Sequence, residues 1–150
     1  MKVVMESFES FAVQAEPKLR RAFAGALGVD RQADAVAEAL AYGWEEWDRV
    51  QNMQYPLGYL FRVGQSRTRP RKPLRLPKVE HASGENTFEP GLPRALMALP
   101  DTQRTAVWLA HGCSWSHQEI AEVLDVSPST VSTHVNRGLK RLRKELGVQP

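Results

Sequence analysis

Five of the ten prolines in this 150-residue chain lie between positions 70 and 93, and they divide it. Pro70, Pro73, Pro77, Pro90 and Pro93 each remove a backbone donor and fix φ, so no continuous helix crosses the stretch. The run HASGENTFEPG within it has no periodicity. On both sides apolar residues recur at spacings of three and four, and no segment shows sustained strand alternation with turn punctuation. The expected fold is all-α, with two small helical domains over 1–69 and 94–150 and a flexible Pro-rich linker over 70–93. Fully extended, 24 linker residues reach at most roughly 80 Å.

In the first unit, Phe8, Phe11, Ala12 and Ala15 share one face of a helix. Pro17 is expected to start a second helix, carrying Leu19, Ala22, Phe23, Ala26 and Leu27 and closed by Gly28. A third begins near Asp30, with Ala33, Val36, Leu40, Trp44 and Trp47 as its apolar seam. Residues 48–54 form a polar connection, and Pro56 opens a fourth helix packed through Tyr59, Leu60 and Val63. In the second unit Ala95, Leu96 and Leu99 mark a short helix. Pro100 is placed at the first position of the next, which runs through Val107, Trp108 and Ala110 to Gly112. Trp115 is expected to plug the core of this small domain.

The stretch EIAEVLDVSPSTVSTHVNRGLKRLR, Glu119 to Arg143, carries the sharpest functional signal. Ile120 and Ala121 open a scaffold helix, and Leu124 and Val126 flank a turn with Asp125 where the chain often turns left-handed. Ser127 is an N-cap with Pro128 at the first helical position. Val131, Val135, Leu139 and Leu142 then make an inward stripe on a helix over 128–144. The opposite face carries Ser129, Thr130, Ser132, Thr133, Asn136, Arg137, Lys140 and Arg141, the hydroxyl, amide and cationic groups that meet base edges and phosphates. Such a helix-turn-helix reads double-stranded DNA.

Charge supports a polyanionic partner. The net charge of +3 is patchy: residues 62–78 carry seven bases and no acid, and 125–150 carry five bases and two acids, while 1–61 and 79–124 are net acidic. The single Cys113 excludes an intramolecular disulfide and fits a reducing cytoplasm. No apolar run approaches membrane-spanning length and MKVVMESFESF is not a signal peptide, so a cytoplasmic chain without membrane contact is expected. No Gly-rich phosphate loop, paired-carboxylate site or nucleophile–base signature points to an enzyme, and no cofactor is implied. His111, Cys113 and His117 form an H-x-C-x3-H run that offers three zinc ligands without an evident fourth, so no metal site is assigned.

ALMALPDTQRTAVWLAHG followed by GCSWSHQEIAEVLDVSPSTVSTHVNRGLKRLR resembles region 4 of bacterial sigma-70 factors of the extracytoplasmic-function (group 4) type. LuxR-type response-regulator domains share a similar helix-turn-helix. The N-terminal unit is similar to region 2 of the same family, with departures. Asp34, Glu38 and Trp44 match the family's acidic third helix, whereas Ala33 and Ala37 replace its Glu and Gln. Tyr59, Leu60, Arg62 and Val63 match the next helix, and Gln65, Ser66 and Pro70 depart from it.

The resemblance implies a transcription initiation sigma factor, with core RNA polymerase and promoter double-stranded DNA as partners and an anti-sigma factor as a further candidate. The residues it implies for the −35 element are Ser127, Ser129, Thr130, Ser132, Thr133, Asn136, Arg137, Lys140 and Arg141. For the −10 element they are Asn52, Gln54, Tyr55, Tyr59, Arg62, Arg67 and Arg69, and for polymerase Asp34 and Glu38, with Glu45 and Glu46 beside them. The alternative is a stand-alone sigma-like regulator that reads DNA without core polymerase. The departures in region 2 motivate it.

Overall fold

The computed structural model describes residues 7–68 and 91–147. Residues 1–6, Arg69 and residues 70–90 of the expected linker lie outside them; the last part of that linker does not, because Leu92 and Pro93 already form the first turn of a helix. Every element among the described residues is helical: α1 (Phe8–Leu27), α2 (Val29–Glu45), α3 (Trp47–Val50), α4 (Pro56–Arg67), α5 (Leu92–Met97), α6 (Asp101–Val107), α7 (His117–Leu124) and α8 (Pro128–Glu145). A π-helical turn over Trp108–Gly112 prolongs α6.

Pro17 does not start a helix; it lies inside α1. The apolar face explains this, because Ala15, Leu19, Ala22, Phe23 and Ala26 form one buried stripe on both sides of the proline. Burying that stripe outweighs the one backbone bond that Pro17 cannot donate. Ser7 caps the helix by accepting from Ser10 N–H at 3.2 Å. Gly28 ends it at φ 90°, as the sequence predicts.

The α2 seam is rotated from the expected one. Ala35, Val36, Ala39 and Gly43 are buried, whereas Ala33 is exposed and Trp44 is 62% exposed. Small residues, not the largest, set the buried face, because they let α1 and α4 approach closely. A Cβ on Gly43 would come within 2.9 Å of the Phe8 ring and 3.1 Å of Leu60. The expected polar connection contains α3, whose Val50 is fully buried. On α4 the inward residues are Leu60 and Phe61, and Phe61 stacks on Phe23 at 4.7 Å between ring centroids. Pro100 precedes α6 instead of opening it, and its carbonyl accepts the first helical bond, from Arg104 N–H at 2.9 Å.

The two units pack against each other. Trp115 closes more than its own domain: its ring meets Phe61 of α4 edge-on at 5.6 Å. The Trp108 indole N–H donates to the Arg21 carbonyl of α1 at 2.9 Å, and Arg21 Nε returns a bond to the Gly112 carbonyl at 2.7 Å. Arg104, 6% exposed, donates to the carbonyls of Ala26 (2.8 Å) and Leu99 (3.1 Å) and to Asp101 Oδ1 (2.6 Å). Ala26 lies in the last turn of α1, where carbonyls lack helical partners and a cation is favoured.

Because Pro17 is tolerated and not required, Pro17→Ala should raise stability by about 1–2 kcal/mol by restoring the bond to the Val13 carbonyl. Urea unfolding of the two proteins measures this. A loss of stability would instead mean that α1 needs a bend that the proline imposes.

Candidate nucleic-acid interface

The second unit presents α8 on a scaffold with tightly specified ends. Ser116 and Glu119 form a capping box at the start of α7: Ser116 Oγ accepts from Glu119 N–H at 3.1 Å, and Glu119 Oε1 accepts from Ser116 N–H at 3.2 Å. Asp125 adopts φ 55° and ψ 49°, the left-handed conformation expected of the turn. Ser127 caps α8 by accepting from Thr130 N–H at 3.2 Å, with Pro128 in the first turn. Val131, Val135 and Leu142 are buried, and Leu139 is half-buried.

This geometry sorts the polar face of α8. The Ser127 hydroxyl lies 3.0 Å from Ser129 Oγ and 2.9 Å from Thr130 Oγ1, so its capping position is also a hydroxyl cluster. Thr133 Oγ1 donates to the Ser129 carbonyl at 3.3 Å, and Ser132 Oγ lies 3.1 Å from His117 Nδ1. His117 thus joins the first residue of α7 to the polar face of α8, which its sequence spacing from Ser132 does not announce. Ser129, Thr133, Asn136, Arg137, Lys140 and Arg141 are exposed, and Thr130 and Ser132 are half-buried. Arg143 and Lys144 extend the basic run into the last turn, where cations also suit the helix dipole.

The residues expected for the −10 element gather around the α3–α4 corner, but most are engaged. Asn52 Nδ2 donates to the Asp48 carbonyl at 2.8 Å. The Tyr42 and Tyr59 hydroxyls are 3.3 Å apart, and this shared hydrogen bond raises the pKa of Tyr42 and lowers that of Tyr59. Arg49 donates to the Tyr42 hydroxyl and lies over the Tyr59 ring at 5.7 Å. Tyr55 donates to Gln118 Oε1 of α7 at 3.3 Å, with Gln54 Nε2 3.4 Å from the Tyr55 hydroxyl. Arg67 pairs with Glu38 at 3.6 Å, so an expected DNA contact and an expected polymerase contact neutralise each other on the surface. Asp34 is exposed and Arg62 is exposed beside the α4–α7 cleft.

His111, Cys113 and His117 do not converge on a metal-holding group among the described residues. Burial pushes the Cys113 thiol up to about 12, away from the thiolate that zinc takes.

Residues 91–142, from α5 into α8, match the family model described as sigma-70, region 4. The chain is 34% identical over 129 residues to the RNA polymerase sigma-E factor of Streptomyces avermitilis, covering 79% of this chain and 72% of that protein. It is 33% identical over 129 residues to the Streptomyces coelicolor sigma-E factor, covering 79% and 72%. This chain belongs to the sigma-70 family, among the extracytoplasmic-function RNA polymerase sigma factors. A match over 79% of the chain is longer than α5–α8 and the linker together, so family membership extends into the first unit. The relatives are RNA polymerase sigma factors, which favours that function over the stand-alone regulator that does not act with core polymerase. The fold agrees: the sigma factor RpoE from Bartonella quintana, solved in complex with the anti-sigma factor NepR, superposes with a TM-score of 0.75 at 18% identity, covering 95% of this chain and 98% of that one. As a sigma factor the protein is a DNA-binding transcription factor that works with RNA polymerase. No helix among the described residues is long and apolar enough to cross a membrane.

The turn of this sigma factor carries a testable strain. Asp125→Gly should stabilise the fold by about 1 kcal/mol, because glycine meets no Cβ penalty in a left-handed turn. Ser127→Ala should cost about 1 kcal/mol through the lost cap. Thermal unfolding checks both, and a destabilised glycine variant would show that the aspartate side chain itself holds the turn.

Proposed function

We propose that this sigma factor binds core RNA polymerase and directs it to promoters by two readings, the −35 element with the 128–144 helix and the −10 element with the 1–69 domain. The observation that carries the first reading is the exposed stripe of α8. Ser129, Thr133 and Asn136 are short polar groups at the front of a capped, rigid helix, suited to base edges in a major groove. Ser132 joins them with its hydroxyl oriented by His117. Arg137, Lys140 and Arg141 follow within the next turns and suit the phosphates that set the register. Ser127 and Thr130 belong to the same contact through the cap that shapes its leading end.

For the −10 element, Gln54, Tyr55, Tyr59 and Arg62 offer amide, ring and cation along one cleft, the combination that holds an unstacked base and its backbone. Asn52, Arg67 and Arg69 complete the set. Asp34 and Glu38, on the exposed face of α2, are the proposed polymerase contacts. The protein acts in the cytoplasm and has no catalytic site of its own. An anti-sigma factor is a proposed partner, supported by the complex in which the Bartonella quintana relative was solved.

Run-off transcription from a promoter library with purified core polymerase tests the whole reading. Promoter-specific transcripts that depend on this protein are expected, and duplex binding without them would favour the stand-alone regulator. Arg137→Ala should weaken DNA binding evenly across sequences and lower the salt slope by about one unit. Thr133→Ala or Asn136→Ala should cost about 1–3 kcal/mol at one or two base pairs. A uniform loss would remove the latter two from base reading.

A further inference from the structure

We infer that His117 is a positioning residue of the −35 reading: its imidazole decides whether the Ser132 hydroxyl meets DNA as a hydrogen-bond donor or as an acceptor. The inference rests on the proposed −35 assignment of α8 and adds to it a residue of α7.

The hydroxyls of α8 are not equivalent. Ser127, Ser129 and Thr130 share one cluster at the cap. Thr133 Oγ1 donates its proton to the Ser129 carbonyl at 3.3 Å, so towards a base it has only lone pairs to offer. Ser132 differs from all of these, because its Oγ lies 3.1 Å from a ring nitrogen, Nδ1 of His117. The frame that brings the two together is fixed on both sides. The capping box of Ser116 and Glu119 sets the start of α7, where His117 stands, and the buried Val131 and Val135 hold the turn of α8 that carries Ser132.

A hydroxyl has one proton and two lone pairs, and a neutral imidazole has one N–H and one lone pair. With Nδ1 unprotonated, the ring accepts the Ser132 proton and Oγ turns only lone pairs outward. With Nδ1 protonated, the ring donates to Oγ and the Ser132 proton is free to point outward. The neutral ring allows both arrangements through its two tautomers, whereas the imidazolium, N–H at both nitrogens, allows only the second. Outward lone pairs suit the amino group of cytosine. An outward proton suits O6 and N7 of guanine or O4 of thymine. Lowering the pH through the range of about 5 to 8 in which histidine charges therefore moves the preference at one base pair towards guanine or thymine.

No other charged group on the elements packed around His117 joins this hydrogen bond among the described residues. On α7, Glu119 Oε1 accepts from Ser116, and Glu122 lines the cleft that it shares with Arg62 of α4. On α8, His134 has its Nδ1 buried. Lys140 stands about 12 Å further along the axis than Ser132, and Arg137 lies about 140° round it. His111 belongs to the π-helical turn that precedes α7. His117 is part of no metal-holding group among the described residues, so its ring is free to titrate.

The test uses the full chain with core RNA polymerase on a promoter library randomised through the −35 element, selected for binding at about pH 6 and about pH 8. At one base pair the ratio of guanine or thymine to cytosine should rise by about threefold or more at the lower pH. His117→Gln, which hydrogen-bonds without titrating, should show no such shift, and Ser132→Ala should lose the preference at that base pair at both pH values. A preference that Ser132→Ala removes but that pH leaves unmoved would overturn the inference and spare the −35 reading. So would a shift that persists in His117→Gln. A preference unchanged in Ser132→Ala would sink the −35 reading at this residue and the inference with it. Heteronuclear NMR of the histidine ring nitrogens in the full chain without DNA checks the contact separately. The His117 titration should move in Ser132→Ala, and an identical titration in both proteins would show that the bond does not form.

Discussion

A guanidinium removed from water must recover its hydrogen bonds or destabilise what surrounds it. Arg104 recovers them from three places: the Leu99 carbonyl between α5 and α6, the carboxylate of Asp101 and the C-terminal turn of α1 in the other unit. Much of the architecture is arranged around that requirement. It brings the α1 end to the start of α6, and the Trp108 and Arg21 exchanges continue the same seam one to two turns further along. Asp101 remains 89% exposed, so the cation is buried while its counter-charge reaches solvent.

The seam also explains why two units that are each small can hold fixed geometry. A helical body of about 60 residues buries little of its own surface and is marginal alone. Sharing Phe61, Trp115 and Trp108 across the boundary lets each unit complete the other's core. Helix α8 gains from this indirectly: it packs on α6 and α7, and those elements are held by the first unit. The polar face of α8 is left outward, and its hydroxyls are ordered by the Ser127 cap and the His117 contact instead of rotating freely.

The α4–α7 cleft is the polar part of the boundary between the two units. Gln54, Tyr55 and Arg62 line it from the first unit and Glu122 from α7, with Asp125 beside them, so one cation lies among carboxylates.

Short-range chemistry was legible from residue order. The helical period, the Gly28 stop, the left-handed Asp125, the Ser127–Pro128 start and the inward stripe of α8 are all set by backbone preferences within a few residues. The family resemblance was legible for the same reason, since its motif lies in that local grammar. What residue order did not reveal was which face of α2 turns inward, that α1 continues through Pro17, and that Arg104, Trp108 and Trp115 join the two units. Those outcomes depend on groups 37 to 91 positions apart meeting in space, such as Arg31 with Thr68 and Arg21 with Gly112. In such contacts small residues can win a buried face over large ones, and the burial of a continuous stripe can override one missing hydrogen bond. Tertiary packing decides these points because its free energy belongs to pairs of surfaces, and no single segment carries it.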